Sequence, residues 1–379
     1  MTSHPSPGNR LVNLACVVGT RPEAIKMAPV IQKLRSSGWA RCHVIATAQH
    51  RGLLDQALLP FGISPDIDLD LMTEGQSMPD LCGRMLPALS RAIASVQAEA
   101  VLAQGDTASV FCAAQAAYFA QIPFGHVEAG LRTHSIQEPF PEEGFRQMAA
   151  RLARWHFAPT ESAARNLSAE GIADSLVHVT GNTGIDALLS IVSAKEAGIA
   201  QHVGPRLILL TAHRRESFGA PMAEIFSAVR QLADAHPDVR VVYPVHPNPN
   251  VAGLARSLLG GHARIDLVTP MDYPQFTATM QSCFLILTDS GGIQEEAPAL
   301  GKPVLVLRDQ TERPEAIDAG VARLVGTDAA RIVAEVGLLL DDSDHYGRMA
   351  AGGSPYGDGH AAERIVQILK TDLRPDLPA

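Results

Sequence analysis

The sequence lacks the features of a membrane protein, a disulfide-stapled protein and a nucleic-acid-binding protein. No run of 18 uninterrupted apolar residues occurs, so we expect no membrane-spanning helix. The five cysteines are odd in number, widely spaced and form no C-x-x-C pair, which predicts reduced thiols in a cytoplasmic protein. A formal net charge of -9 and the lack of any run of five like charges argue against a nucleic-acid partner. A small anionic ligand would therefore need a local cluster of basic groups.

Length and composition predict two folded domains. At 379 residues the chain exceeds the size at which one hydrophobic core keeps growing, and its hydrophobic content of 46% is sufficient for two cores. The opening segment "MTSHPSPGNR" has no charged stretch followed by an apolar one. We therefore expect residues 1–10 to form a disordered tail and not a targeting signal.

Short apolar runs alternate with longer amphipathic or alanine-rich segments, which is the pattern of βαβ units around parallel sheets. The predicted strands cover residues 11–18, 42–48, 100–104, 124–127, 176–180, 206–211, 239–245, 284–288, 303–307 and 322–326. The rhythm breaks once, between about 181 and 205. We predict an α/β protein with two Rossmann-like, doubly wound domains facing a cleft. The predicted domains are residues 11–185, joined by a returning C-terminal helix in 360–379, and residues 186–359.

Sheets of this kind bind ligands at the carboxyl ends of their strands, so the residues after each strand are the candidates for a site. After the first strand, "GTRPEAIKMAPV" has one glycine, Gly19, where a dinucleotide fingerprint needs three. We therefore predict no NAD and no other bound cofactor. The same turn opens a helix and offers two cations, Arg21 and Lys26, to an anionic ligand.

Carboxylates follow two further strands of the first domain. Asp106 is placed to cap the helix that begins there and also to face the cleft. Glu128 ends the next predicted strand, where capping does not explain it. Glu142, Glu143 and Arg146 then surround the start of another helix, whose dipole favours acids at that end. Several carboxylates beside arginines are typical of a site for proton transfer.

The second domain contributes basic and glycine-rich turns. The segment "TAHRRESFG" places His213 and two arginines at a strand end, which favours a phosphate ligand. Ser290, Gly291 and Gly292 lie between a strand and a helix, where free backbone amides can hold a phosphate. Glu296, about a turn and a half into that helix, is suited to ribose hydroxyls.

One segment has the D-x-D spacing of some metal-dependent enzymes. This is "DIDLD" at residues 66–70, which also fits a strand that alternates acidic and apolar residues. We favour the strand and predict no metal site.

Eight ordered motifs resemble those of the non-hydrolysing UDP-N-acetylglucosamine 2-epimerases of bacteria. They are "GTRPEAIKMAPV", "QGDT", "HVEAGLRT", "PFPEE", "TAHRRESFG", "HPNPNV", "DSGGIQEEAPALGKPVLVLRDQTERPEA" and "PYGDGHA", and the match runs from about residue 11 to 370. The resemblance implies a glycosyltransferase-B type architecture, a homodimer and reversible epimerisation of UDP-GlcNAc to UDP-ManNAc. It also implies a mechanism, in which UDP leaves C1 by anti elimination as the C2 proton is removed, and then re-adds to 2-acetamidoglucal.

Such a reaction needs acid/base groups on both faces of the sugar and a clamp that retains UDP. By resemblance, Asp106, Glu128 and Glu142 are the catalytic carboxylates, and His213 is a catalytic histidine beside the phosphates. The substrate-binding residues that the resemblance implies are Arg21, Lys26, Gln49, Arg146, His213, Phe276, Ser290, Gly291, Gly292, Glu296 and Arg313.

The sequence departs from the family pattern at one position near the expected sugar site. Phe145 stands before Arg146, where the family usually has asparagine, and we expect it close to the sugar. Alternative functions are the same chemistry on a related sugar such as UDP-2,3-diacetamido-glucuronic acid, a hydrolysing epimerase that releases N-acetylmannosamine and UDP, and a retaining glycosyltransferase. The last gives no reason for three carboxylates in the first domain.

Overall fold

The computed structural model describes residues 10–47, 51–73, 75–133, 135–195 and 204–377. The chain forms two compact units: unit 1 is Met1–Leu189 with Gly357–Ala379, and unit 2 is Ser190–Tyr356. The predicted boundaries are 185/186 and 359/360. One helix, Thr183–Lys195, continues through the first junction between the units, so no change in composition marks that junction. Residues 1–9 of the expected tail, and Gln49, lie outside the described residues.

Unit 1 is built on a seven-stranded parallel sheet with the strand order β3-β2-β1-β4-β5-β6-β7. Its strands are β1 Val12–Val18, β2 Ala40–Ala46, β3 Ile67–Asp68, β4 Ala100–Gln104, β5 Phe124–Val127, β6 Trp155–Ala158 and β7 Val177–Val179. Its helices are α1 Arg21–Ser36, α2 Arg51–Leu58, α3 Met78–Ser95, α4 Ala108–Phe119, α5 Glu142–Leu152, α6 Glu161–Ala169, α7 Thr183–Lys195 and, returning from unit 2, α15 Ala361–Leu373.

Unit 2 is also built on a parallel sheet, which has six strands in the order β10-β9-β8-β11-β12-β13. Its strands are β8 Arg206–Thr211, β9 Val239–Pro244, β10 Ile265–Val268, β11 Leu285–Thr288, β12 Val304–Val306 and β13 Ala322–Leu324. Its helices are α8 Ala220–Ala235, α9 Pro249–Leu259, α10 Tyr273–Ser282, α11 Gly291–Ala299, α12 Pro314–Asp318, α13 Ala329–Asp341 and α14 Ser343–Ala350.

The predicted α/β class with two doubly wound sheets is confirmed, but two of the observed strands were not predicted. They are β6 ("WHFA") and β10 ("IDLV"), each four residues long. Each includes a polar or charged residue, His156 or Asp266, and directly follows an arginine, so neither forms the unbroken apolar run typical of a central parallel strand. The "DIDLD" segment does contain a strand, the two-residue β3.

The alanine-rich helix α4 explains how strand ends come close together in unit 1. Its small side chains are buried almost all round, including Ala113, Ala114 and Ala117, because the helix packs on the sheet and against α3 and α5. Close packing of α4 brings its first turn, which follows β4, against the turn that follows β1. The candidate site of unit 1 lies at this position.

The returning helix α15 is anchored in unit 1 by a carboxylate from α7. Asp186 accepts hydrogen bonds from the backbone amides of Ala361 (3.2 Å) and Ala362 (2.8 Å), while His360 provides no side-chain cap. Near the other end of α15, Asp372 accepts a hydrogen bond of 2.8 Å from the indole of Trp155. These contacts explain why Gly357–Ala379 belongs to unit 1.

All five cysteines are free thiols, as predicted. Within the described part of the chain, no helix is both long and apolar enough to span a bilayer. The described residues form no cluster of three or more histidine, cysteine, aspartate or glutamate side chains that could hold a metal ion.

Candidate active site

Each sheet has one switch point, where the chain continues on the other side of the first strand. It lies between β1 and β4 in unit 1 and between β8 and β11 in unit 2. Helices that follow the two strands run on opposite faces of the sheet and leave a crevice at the carboxyl ends, which is where doubly wound sheets bind ligands. The predicted site residues lie on the turns around these two switch points.

The turn after β1 requires a glycine at its first position. A Cβ atom on Gly19 would lie 2.6 Å from the Thr47 hydroxyl and closer still to that of Ser109, which are hydrogen-bonded to each other at 2.8 Å. Thr20 then caps α1, and Arg21 is the first residue of the helix. Arg21 is half-buried and makes no side-chain hydrogen bond to a described residue, so its guanidinium is available to an anion.

The turn after β4 corrects one prediction. Thr107, and not Asp106, caps α4, and its hydroxyl accepts a hydrogen bond of 3.2 Å from the Ser109 amide. The Asp106 carboxylate instead accepts a hydrogen bond from Arg146 of α5. Asp106 is therefore held by a cation and not by the helix terminus.

Arg146 links Asp106 to a second, fully buried carboxylate. Its other terminal nitrogen lies 3.1 Å from Glu143, which also accepts hydrogen bonds from the Thr133 amide (3.2 Å) and the Gln147 side chain (2.8 Å). The Glu143 side chain is not exposed at all, and that of Arg146 is 11% exposed. A charged pair this deeply buried needs such additional hydrogen bonds to offset desolvation.

Glu128 stands at the end of β5 in an unusual backbone conformation. Its φ angle is +62°, in the left-handed region, which costs on the order of 1 kcal/mol for a residue with a side chain. The carboxylate accepts a hydrogen bond from Lys26, and the two side chains are 9% and 15% exposed. Strain at a non-glycine residue is common at functional sites, where the surrounding structure enforces it.

Asp106 and Glu128 are brought together by the pairing of β4 with β5. The Gly105 amide donates a hydrogen bond of 3.1 Å to the carbonyl of Val127, so the ladder extends to the residues just before both carboxylates. His126 adds a hydrogen bond of 2.7 Å from its Nε2 to the Gly105 carbonyl. Burial, with some effect of Arg132 and Arg146, lowers the pKa of His126 to about 4, so this ring is neutral at pH 7.

Glu142 and Phe145, both on α5, differ in burial and in their contacts. Glu142 is the first residue of the helix, is half-buried and makes no side-chain hydrogen bond to a described residue. Phe145 is 7% exposed and stacks on Phe111 of α4, with ring centroids 4.9 Å apart. The Phe145 side chain is thus part of the core, while its closeness to the sugar stays a prediction.

At the switch point of unit 2, a buried aspartate organises the turn after β8. One oxygen of Asp289 accepts hydrogen bonds from the amides of His213 (2.5 Å) and Arg214 (2.7 Å). The other lies 3.2 Å from the His213 Nδ1, an electrostatic contact without the alignment of a hydrogen bond. His213 also stacks on His246 with ring centroids 5.5 Å apart. Burial, with the proximity of His213, lowers the pKa of His246 below its usual value.

The start of α11 has the properties of an anion site. Ser290 is the cap residue but makes no side-chain capping bond, so the first amides of the nine-residue helix keep their hydrogen-bonding capacity. A Cβ on Gly291 would lie 4.0 Å from the guanidinium groups of both Arg214 and Arg313. Arg313 is oriented by a hydrogen bond to the buried Glu295. Amides and two guanidinium groups at one point favour a phosphate or diphosphate.

The residues expected to bind the nucleoside lie on α10 and α11. Glu296 accepts a hydrogen bond of 3.3 Å from the hydroxyl of Tyr273, and Phe276 is half-buried on the same helix as that tyrosine. The structure thus places Glu296 beside Tyr273 of α10, while the ribose and uracil assignments stay predictions.

Five residues with evident roles in these turns are not among the site residues that the family resemblance implies. For Glu23 a signal existed, since "TRPE" is the T-x-x-E pattern of a capping box. Arg214 and Glu143 each stand beside a residue that was assigned, and sequence alone does not say which of two neighbours faces the site. Asp289 and His126 look like ordinary strand-end residues until their burial is known.

The chain thus has two Rossmann-like units, one with carboxylates paired to cations around its switch point and the other with two arginines beside the first turn of a helix. A family model described as UDP-N-acetylglucosamine 2-epimerase matches residues 32–370, and the chain belongs to that family. The family predicted from the motifs is thereby confirmed.

The chain is similar to the UDP-N-acetylglucosamine 2-epimerase of Escherichia coli K12, with 47% identity over 367 residues, or 94% of this chain and 98% of that protein. Its fold is similar to the crystal structure of the Neisseria meningitidis UDP-GlcNAc 2-epimerase bound to UDP-GlcNAc, with a TM-score of 0.86, 42% identity and coverage of 94% and 99% of the two chains. At 15% identity and a TM-score of 0.61, the glycotransferase of kitacinnamycin shares the fold over 94% of this chain and 99% of its own. The predicted glycosyltransferase-B type fold class is confirmed.

Proposed function

We propose that the chain interconverts UDP-GlcNAc and UDP-ManNAc by inverting C2, without releasing free sugar. The observation that carries the proposal is the placement of Asp106 and Glu128 at the ends of the paired strands β4 and β5. Each carboxylate accepts a hydrogen bond from a cation on a helix, Arg146 or Lys26. The names of the similar proteins from Escherichia coli and Neisseria meningitidis support the substrate.

The chemistry of the sugar explains why such carboxylates are needed. The C2 hydrogen of UDP-GlcNAc has no adjacent carbonyl carbon to acidify it. Simple deprotonation at C2, which would leave a carbanion, would therefore be very slow. In the proposed elimination, a carboxylate takes the C2 proton, a C1–C2 double bond forms, and the C1–O electron pair leaves with UDP. The reverse addition delivers a proton to the other face of C2 in 2-acetamidoglucal and re-forms the C1–O bond.

Unit 1 supplies the proton-transfer groups in this proposal. Asp106, Glu128 and Glu142 act as acid and base on the two faces of C2, and Arg146 fixes the direction of the Asp106 carboxylate. The three carboxylates are half-buried, which suits a site that excludes water once substrate is bound. General acid/base groups typically contribute roughly 100-fold or more to a rate.

Unit 2 retains UDP while it is detached from the sugar. The amides of Gly291 and Gly292, with Arg214 and His213, hold the diphosphate in this proposal, and His213 stabilises charge on the departing phosphate. Ser290 contributes through its hydroxyl, because its amide already donates a hydrogen bond of 2.9 Å to the Thr288 hydroxyl. The further substrate contacts stay assigned to Arg21, Lys26, Gln49, Phe276, Glu296 and Arg313.

Two of the three alternatives are disfavoured by the structure. Phe145, the reason to consider a related sugar, is buried and stacks on Phe111, which favours GlcNAc. A retaining glycosyltransferase would leave the paired carboxylates of unit 1 without a role. A hydrolysing epimerase would need the same residues, so only the products distinguish it.

The products of purified protein with UDP-GlcNAc, followed through their anomeric proton signals by NMR, test the proposal. We expect the UDP-ManNAc anomeric signal to grow until equilibrium, with little free sugar. Free N-acetylmannosamine and UDP in equal amounts would indicate hydrolysis. If the UDP-GlcNAc spectrum stayed unchanged and the protein converted UDP-2,3-diacetamido-glucuronic acid, the related sugar would be the substrate.

We also propose a homodimer, supported by exposed aromatic residues on unit 1. Tyr118 and Phe119, at the end of α4, are 62% and 65% exposed, and their rings lie 5.9 Å apart. Large adjacent apolar side chains on a surface often mark a protein interface. Light scattering should give twice the chain mass of 40.3 kDa, and the double substitution of both residues by serine should lower it.

A further inference from the structure

Glu23 is a buried carboxylate at the switch point of unit 1 that the proposed mechanism does not use. It is 3% exposed and occupies the third position of α1. One carboxylate oxygen accepts hydrogen bonds from the amides of Gly19 (2.6 Å) and Thr20 (2.9 Å). The Thr20 hydroxyl accepts one from the Glu23 amide at 3.4 Å, which completes a capping box.

The second carboxylate oxygen of Glu23 makes a contact that a capping box does not need. It accepts a hydrogen bond from the hydroxyl of Thr107, 84 residues further along the chain. Thr107 is the cap residue of α4 and directly follows Asp106. Glu23 therefore joins the turn after β1 to the turn after β4, across the switch point of the sheet.

The helix cap by itself does not explain why Glu23 is buried, because burial disfavours its ionised form. Desolvation raises the pKa of Glu23 to about 7, with a smaller effect of Asp106, although Thr107 and the two amides lower it. An acid at this helix position does not need to be buried. Asp80 occupies the same position in α3 and stays exposed, where its carboxylate accepts a hydrogen bond of 2.6 Å from the hydroxyl of the cap residue Ser77. The buried position of Glu23 is thus explained by the bond to Thr107.

We propose that Glu23 is a positioning residue for the epimerisation proposed above, because its bond to Thr107 fixes the Asp106 carboxylate relative to C2 of the sugar. The inference rests on the proposed function, in which Asp106 transfers a proton. Arg146 holds one side of Asp106, and Glu23 holds the backbone on the other side through Thr107. A misplacement of about 1 Å at a reacting group can reduce a rate roughly 100-fold.

The test compares Glu23→Gln, Thr107→Val, Thr107→Ser and the double variant Glu23→Gln/Thr107→Val, with Asp80→Asn as the matched capping control. Glu23→Gln and Thr107→Val should each lower kcat for UDP-ManNAc formation by roughly 10-fold or more, with less than about a 3-fold change in KM. Thr107→Ser, which keeps the hydroxyl, should retain most of the activity. Asp80→Asn should leave kcat unchanged, even if it lowers Tm slightly.

The double variant separates positioning from a general loss of stability. Because both residues act through one hydrogen bond, the double variant should have the kcat of the less active single variant. Independent roles would instead multiply the two fold-losses in kcat. Folded Glu23→Gln with wild-type kcat, or losses that multiply, would overturn the inference. A wild-type protein that makes no UDP-ManNAc would refute the proposed function instead, so the two failures are distinct.

Discussion

Lys26 and Glu128 form an ion pair between helix α1 and the end of β5, although 102 residues separate them in the sequence. The pair fixes the carboxylate of a residue whose backbone is in the left-handed region. It also joins the motif after the first strand to the motif after the fifth. Both residues were assigned separately from the sequence, Lys26 to substrate binding and Glu128 to catalysis, and the structure shows them in direct contact.

The first prediction concerns Glu128 as an acid/base group. Glu128→Gln should lower kcat by roughly 100-fold or more and leave UDP affinity within about 3-fold, because the carboxylate is assigned to the sugar and not to the nucleotide. Titration calorimetry with UDP and NMR rate measurements check the two parts. An equal loss in UDP affinity and turnover would assign Glu128 to binding.

The second prediction concerns Glu143, which holds the arginine that holds Asp106. Glu143→Gln keeps the size of the side chain but removes the charge beside Arg146, and kcat should fall by roughly 10-fold. Gln147→Ala is the control, because it removes one hydrogen bond to Glu143 and leaves Arg146 in contact with both carboxylates. Similar kcat values for the two variants would show that the charge of Glu143 is not needed.

The third prediction uses the neighbouring arginines of unit 2. Arg214 lies beside the first amides of α11, whereas Arg215 is exposed and has no side-chain hydrogen bond to a described residue. Loss of a charge-assisted hydrogen bond costs about 1.5–3 kcal/mol, so Arg214→Ala should weaken UDP binding by roughly 10- to 100-fold. Arg215→Ala should change it by less than about 3-fold. The reverse order in calorimetric titrations would place the diphosphate elsewhere.

The fourth prediction concerns stability at acid pH. The folded pKa of His126, about 4, is below the value of about 6.5 in an unfolded chain, so the unfolded state binds more protons between these two values. The contribution of His126 to stability is therefore complete above pH 6.5 and is lost as pH falls towards 4. Between pH 7 and pH 5 the loss is about 2 kcal/mol.

Urea unfolding of wild type and His126→Asn at pH 7 and pH 5 measures this difference. The wild type should lose about 2 kcal/mol more than the variant over that range. His360→Asn, at a histidine whose side chain is 64% exposed, should behave like wild type. Equal losses for wild type and His126→Asn would show that this ring is not held neutral.

The strand ends and their carboxylates could be predicted because a buried parallel strand has a recognisable composition. "AVLAQ" and "FGHV" are apolar enough to locate β4 and β5, and the position of Asp106 and Glu128 follows directly. Asp106 was nevertheless assigned a capping role that Thr107 performs, because both residues are good caps and only the backbone angles decide between them.

Contacts between distant segments could not be predicted from the sequence. Helical periodicity in "PEEGFR" does not show that Glu143 turns towards Arg146 and the core while Glu142 does not, because that depends on how α5 packs on α4. Phe145 illustrates the same limit, since its place beside Arg146 in the sequence suggested the site, whereas stacking on Phe111 directs it into the core. The bond between Glu23 and Thr107 likewise requires the packing of two turns that are far apart in the chain.

The fate of the C2 hydrogen tests the proposed mechanism most directly. If one group removes the proton and another returns one to the opposite face, solvent hydrogen must enter at C2 in each inversion. In D2O, UDP-ManNAc formed by the wild-type protein should carry deuterium at C2 and hydrogen at the other ring carbons, and recovered UDP-GlcNAc should gain the same label. Epimerised product that retains its original C2 hydrogen would contradict the elimination mechanism and the roles given to Asp106, Glu128 and Glu142.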